Sequence, residues 1–233
     1  MKIFVINLDT ATGRWKNYED DLRYTRWSAT SIDDLSHDHP IYENMVSYWN
    51  VDPREHKAKC CCYLSHTRLW RYIVTNKIND VLILEDDAHL INPIPDSSTL
   101  PQDGFTYLGG LTYNKKLTDG PLSVDFDEGI TKIDHSKYRL LMCLAIYIPH
   151  WSIAYKMLQS VEERGRPRAI DTMILHTKRE QYVSYPASFV ERPDPSQIRE
   201  KKSKFSNSHY ERVKGKEVLD EINQESTPNS DFT

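Results

Sequence analysis

Apolar residues run without interruption from Val81 to Leu84, and three acids, Glu85, Asp86 and Asp87, follow with no turn residue between. A strand covered on both faces is apolar at every position, whereas a half-exposed one alternates. This segment therefore predicts a buried parallel strand that delivers carboxylates to the edge of a sheet. Ile3-Phe4-Val5-Ile6, before Asn7, predicts a first strand of the same kind. Residues 9–13 read as a polar turn, residues 14–24 as a helix by composition and residues 26–30 as a short second strand. Residues 31–54, rich in Asp, His, Pro and Asn, predict a long irregular excursion, a feature more often functional than merely connecting. In residues 62–76, Leu64, Leu69, Trp70, Tyr72, Ile73 and Val74 are spaced as an amphipathic helix, which residues 77–80 link to the acid-tipped strand.

Further on, Phe105-Thr106-Tyr107-Leu108 predicts a strand ending at Gly109-Gly110, and residues 139–148 a buried strand or strand-turn. Residues 150–163 and 172–177 predict helices, Tyr182-Val183-Ser184-Tyr185-Pro186 a late strand, and Arg192-Pro193-Asp194-Pro195 an exit from the core. The pattern is that of one α/β domain over residues 1–212, with a mostly parallel central sheet flanked by helices. A charged helix or tail follows over 213–233, its end too poor in large apolar residues to pack.

Composition narrows the function classes. At 233 residues a single sizeable core is the simplest arrangement, and 39% hydrophobic residues suit a globular chain. A net charge of -4 gives no general attraction for polyanions, so no nucleic-acid partner is expected. The longest apolar stretch, residues 140–148, falls far short of the roughly 20 residues of a membrane helix, so no integral membrane segment is expected. The apolar run after Lys2 is too brief for a secretory signal, and a cytoplasmic setting, bacterial or in a virus-infected cell, is the expectation. Cys60, Cys61 and Cys62 are adjacent and Cys143 stands alone, so free thiols are expected, the adjacent three as small buried residues opening a helix.

The acids carry the candidate chemistry. In open α/β sheets ligands bind beyond the carboxyl ends of the strands. Three adjacent carboxylates raise one another's pKa unless a cation neutralises them, and a hard divalent ion such as Mg²⁺ or Mn²⁺ suits oxygen ligands and a substrate diphosphate. Extended geometry would turn Glu85 and Asp87 to one side and Asp86 to the other. A solvated acidic loop is the plain alternative.

Four segments together resemble glycosyltransferase family 25, the lipopolysaccharide and collagen galactosyltransferase group, and related GT-A enzymes of large viruses. They are Phe4-Val5-Ile6-Asn7-Leu8-Asp9 with Arg14-Trp15; Cys62-Tyr63-Leu64-Ser65-His66 with Leu69-Trp70; Leu82-Ile83-Leu84-Glu85-Asp86-Asp87-Ala88; and Cys143-Leu144-Ala145-Ile146-Tyr147-Ile148 through Ile170-Asp171 to Tyr185-Pro186. Their order and spacing are similar to the family's over roughly residues 1–195, while Thr10-Ala11 and Cys61 depart from its usual residues.

The resemblance implies a GT-A, Rossmann-like fold, a UDP-sugar donor with galactose or glucose favoured, a glycan or glycoprotein acceptor, and Mn²⁺ or Mg²⁺. Asp87 would hold the metal, with Glu85 or Asp86 facing the ribose or the metal's water shell; Glu85 and His209 are the further candidate ligands. Asn7, Asp9 and Arg14 would meet the nucleoside side of the crevice, although Arg14 alone also reads as a solvated helix-start charge. Ser65 and His66, taken to lie near a helix start, would hold an anion or the sugar, or simply cap the helix. Asp171 would be the general base of a single-displacement transfer, and it equally suits the N-cap of the helix that follows. A non-catalytic nucleotide-sugar-binding homologue and, more distantly, a metal-dependent phosphohydrolase are the alternative functions.

Overall fold

In the first strand, β1 (Lys2–Asn7), Ile3 and Val5 enter one hydrophobic cluster while Phe4 and Ile6 enter another. This is the two-sided burial that its unbroken apolar run requires. The computed structural model describes residues 1–36, 38–45, 53–109, 112–114, 128–135, 138–140, 143–164, 167–175, 177 and 179–192. After β1 come α1 (Thr12–Trp15), β2 (Tyr24–Ser28), α2 (Pro40–Asn44), the long α3 (Pro53–Thr75), β3 (Val81–Glu85) and β4 (Ala88–Leu90). Next are β5 (Gly104–Gly109), β6 (Thr112–Asn114), β7 (Gly129–Lys132), β8 (Tyr138–Leu140) and β9 (Ala145–Ile148). The helices α4 (Trp151–Glu163) and α5 (Ile170–Leu175) precede β10 (Glu180–Tyr185) and β11 (Phe189–Glu191).

Nine strands form one sheet in the order β2-β1-β3-β9-β5-β10-β7, with β11 beside β5 and β4 beside β11; β6 and β8 pair separately. The acid-tipped strand β3 runs parallel to β1 on one side but antiparallel to β9 on the other. The expectation of a parallel strand thus holds for one edge only. Its burial comes from both faces, since Val81 and Ile83 join the cluster under α3, α4 and α5, and Leu82 and Leu84 join the opposite one. The longer helices cover one face. The other is covered by Trp15, Tyr18, Leu100 and the β4–β11 ribbon. Among the described residues no helix is long and apolar enough to cross a membrane.

Several boundaries differ from the sequence pattern. The helix expected over residues 14–24 is confined to α1, and the chain then closes successive short turns, Tyr18 N–H to Trp15 O, Asp21 N–H to Tyr18 O and Tyr24 N–H to Asp21 O. Tyr18 explains the change. Its ring is buried and its hydroxyl donates to the Ala88 carbonyl, an anchor that an exposed helix would not provide. Conversely, α3 begins nine residues before the expected position 62, so Cys60, Cys61 and Cys62 are mid-helix. Cys60 and Cys61 pack with Leu35, Ile41 and Met45, so the irregular excursion carries a small core of its own and the short helix α2. The helix α3 stops without glycine: Lys77 adopts φ 49°, Ile78 N–H reaches Ile73 O and Lys77 N–H reaches Val74 O, a paired closure that satisfies two terminal carbonyls. The segment expected as strand or strand-turn over 139–148 resolves into β8 and β9. The 213–233 tail lies outside the described residues.

Close strand approach makes β5 intolerant of side chains at its glycine ends. A Cβ on Gly104 would meet the Glu180 carbonyl oxygen at 2.1 Å, and β10 is held there by parallel pairing. Gly104→Ala is expected to destabilise the fold by about 1–3 kcal/mol or more, the range for forced overpacking, measurable by urea denaturation.

Candidate active site

The strand β3 ends at Glu85, and the chain turns at Asp86 and Asp87, so the alternation expected of an extended backbone stops there. All three acids line one cleft, together with Arg14, Ser65, His66 and Cys62, over an apolar floor that includes Ile6, Leu8, Ala29 and Ile32. The cleft opens to solvent and has a cavity volume of about 130 Å³. That is smaller than the roughly 300–1,000 Å³ of typical small-molecule sites.

The three carboxylates have different partners. Asp86 is fully engaged: Asn7 Nδ2 donates to Oδ2 at 2.8 Å and Arg14 NH1 to Oδ1 at 2.6 Å. Asn7, itself buried, also receives Arg26 Nε at 2.8 Å on its side-chain oxygen, so β1, β2 and the acid turn are tied through one amide. Glu85 turns toward α3, where His66 Nε2 lies 3.1 Å from Oε1 and Cys62 Sγ 3.8 Å from the same oxygen. Asp87 is the under-satisfied member. Its Oδ1 is buried without a hydrogen-bond partner among the described residues, and Arg14 stands 3.9 Å from Oδ2. Burial first, then the charges of Glu85, Glu191 and Asp86, pushes the Asp87 carboxyl well above the usual carboxylate range, while Arg14 opposes them. A buried carboxylate oxygen lacking a donor, in a cluster of like charge, fits a cation ligand.

The other candidates fall into distinct positions. Arg14 is a largely buried ion-pair partner, 13% exposed in its side chain, rather than a solvated charge. Asp9 is 70% exposed in its side chain, accepts from the Ser28 hydroxyl at 2.7 Å and does not line the cleft. Ser65 and His66 lie well inside α3, not near its start, because the helix begins at Pro53. Neither the cap nor free backbone N–H groups are available to them. Ser65 instead donates to Cys61 O at 2.7 Å and accepts from Thr30 N–H at 2.9 Å, fastening the helix to the segment after β2.

Asp171 sits in the first turn of α5, inside the helix that Ile170 opens, and so is not its N-cap. Its Oδ1 accepts from Cys143 N–H at 2.9 Å, which ties α5 to the entry of β9. Burial, then Glu85, raises the Asp171 carboxyl to about 6, against the hydrogen bonds from Cys143 and the His66 charge. His209 lies outside the described residues. Sequence reasoning passed over Cys62, treating the cysteines as packing. The signal was its position four residues before His66, which places both on one helix face. All four cysteines are free, as expected, and burial raises each thiol, Cys62 and Cys143 most strongly.

Asp171 is not among the residues that line the cleft, but Glu85 and His66, which do, act on its charge, and such a charged edge suits group transfer. Residues 1–106 match the model of glycosyltransferase family 25 (LPS biosynthesis protein). The family 25 match implies glycosyltransferase activity, and with it a sugar donor and an acceptor. It ends within β5 and takes in Asn7, Arg14, Cys62, Ser65, His66 and the three acids, whereas Asp171 lies beyond it. It is shorter than the span over which the four motifs show their likeness. No curated protein matches the chain.

Proposed function

We propose that the chain is a metal-dependent glycosyltransferase of GT-A type that moves a hexose, galactose or glucose, from a UDP-sugar to a hydroxyl of a glycan or glycoprotein. The observation that carries this reading is the convergence of Glu85, Asp86 and Asp87 on one cleft, with an oxygen of Asp87 buried and without a hydrogen-bond partner among the described residues. Asp87, with Glu85 beside it, would hold Mn²⁺ or Mg²⁺. A divalent ion there supplies Lewis-acid stabilisation of the charge left on the departing nucleoside diphosphate.

The chain's own residues do the rest. Asp86 does not contact the donor in this reading; it locks Arg14 and Asn7 and so fixes the turn that presents Asp87. Arg14, balanced between Asp86 and Asp87, contributes positive charge at the cleft. Asp171, raised to about 6, takes the proton of the acceptor hydroxyl in a single-displacement transfer. It is ionised at neutral pH yet basic enough to accept a proton. The apolar floor excludes water from the anomeric carbon. The enzyme acts in the cytoplasm in this reading.

Mn²⁺-dependent binding and slow hydrolysis across UDP-, GDP- and dTDP-sugars tests the proposal. The expected result is hydrolysis selective for UDP-hexoses and abolished by chelation. Binding to no member of the panel overturns the transferase reading, and metal-dependent phosphate release from simple esters favours the phosphohydrolase.

A further inference from the structure

Cys62 and His66 are one turn apart on α3, so their side chains leave the same helix face, and that face meets the end of β3. There, Sγ and Nε2 approach the same oxygen, Glu85 Oε1, at 3.8 and 3.1 Å, and one donor atom from each of the three residues lies within 4.8 Å of the others. Tetrahedral Zn²⁺, with bonds of about 2.3 Å to sulfur and about 2.0–2.2 Å to nitrogen and oxygen, spaces its ligand atoms roughly 3.3–3.7 Å apart. The two contacts to Glu85 are close to that spacing before any ion binds.

The imidazole is placed for ligation. His66 is 1% exposed and packs edge-on to Trp70, and its Nδ1 has no hydrogen-bond partner among the described residues. No second hydrogen bond at Nδ1 therefore opposes a change of tautomer, and Nε2 can be turned from a donor to Glu85 into a ligand by moving the ring proton to Nδ1. Cys62 is only partly buried, and all three residues line the cleft, so an ion can enter from solvent. Ligand chemistry separates this triad from the acid turn. Asp87 offers hard oxygen to Mg²⁺ or Mn²⁺, while a thiolate with an imidazole selects softer ions, Zn²⁺ foremost.

We propose that Cys62, His66 and Glu85 form a binding site for a divalent cation of the Zn²⁺ class, its fourth position open to the cleft. On binding, the Cys62 thiol gives its proton to solvent and its sulfur lone pair to the ion, and the His66–Glu85 hydrogen bond is exchanged for two metal bonds as the ring proton leaves Nε2 and is carried at Nδ1. The site shares Glu85 and the cleft with the metal position of the transferase reading but does not require it, since neither a nucleotide nor a sugar is among its ligands.

Co²⁺ titration of the chelator-treated full chain tests it, because a thiolate-bound Co²⁺ gives a sulfur-to-metal charge-transfer band that oxygen ligands cannot. The expected result is a band saturating near about one equivalent and bleached by Zn²⁺, with Zn²⁺ affinity reduced more than about 100-fold in Cys62→Ser, beyond the 10–100-fold typical of losing a mere outer-shell partner. Cys61→Ser, removing the neighbouring thiol on the same cleft, should keep the band. Its absence from the wild type, or its loss in Cys61→Ser with retention in Cys62→Ser, overturns the site. Should Cys62→Ser fail to fold, alkylation of the wild type decides: Zn²⁺ must protect Cys62 at least tenfold, and unchanged labelling overturns the site. Failure here would leave UDP-sugar binding untouched, so the two readings are tested separately.

Discussion

Asp87→Ala is expected to reduce metal-dependent hexosyl transfer by about 100- to 1,000-fold, since a Lewis-acid metal supplies several kcal/mol and about 1.4 kcal/mol is tenfold in rate. The same change should leave the thermal midpoint unchanged or raised. Oδ1 of Asp87 is buried without a hydrogen-bond partner among the described residues, and its neighbours Glu85, Glu191 and Asp86 all repel its charge. Alanine removes that charge and leaves the backbone bond from Arg192 N–H to the residue-87 carbonyl in place. Asp86→Ala should behave in the opposite way, since it removes the buried carboxylate to which both Arg14 and Asn7 donate. Steady-state transfer kinetics beside calorimetry separates the two acids. Wild-type transfer by Asp87→Ala would remove it from the mechanism.

Asp171→Asn is expected to lower turnover by about 100- to 10,000-fold, the contribution typical of a positioned general base. The acid limb identifies the group. With the carboxyl raised to about 6, the basic form accumulates above that pH, so wild-type turnover falls as pH drops through about 6. The residual activity of the asparagine variant should lack this limb. The stability sign runs the other way. A carboxyl whose folded pKa lies above its unfolded value favours the fold below about 3.8, and that contribution is lost as pH rises through about 6. At neutral pH the ionised Asp171 therefore opposes folding, and Asp171→Asn, whose amide oxygen can still accept from Cys143 N–H, should be more stable by about 1–2 kcal/mol. A variant that loses both activity and stability would mark Asp171 as a structural residue. Denaturant midpoints at pH 5 and pH 8 supply the comparison.

The strands and the acid edge were legible because two-sided burial leaves an unambiguous mark: β1, β3 and β5 lie where their apolar runs do. What the pattern could not supply was long-range information. The direction of β9 relative to β3 depends on how the chain returns from residues 110–142, and apolar content is the same in either direction. The early start of α3 was hidden because residues 53–61 are half polar and bury only Ala58, Cys60 and Cys61, against a small core made by the excursion itself. Within the site, residue type marked the acids but not their division of labour. That Asp86 is an anchor and Asp87 the under-satisfied oxygen follows from Asn7, Arg14 and Arg26 arriving from other elements. Asp9, chosen for its place after β1, is turned outward to Ser28.

Parallel strands offer a sheet edge only their exits, but β9 runs backwards, so at the acid edge it offers its entrance. Glu85 N–H bonds to Leu144 O there, and Cys143 N–H is held by Asp171. Of the described segments between β5 and that clamp, β6 and β8 pair with each other apart from the main sheet, whereas β7 is held in it beside β10. Changes at the ribbon therefore leave the main-sheet registers in place, while a change at β7 pulls on β10. The ribbon, rather than the whole connection, is the part of this stretch open to remodelling.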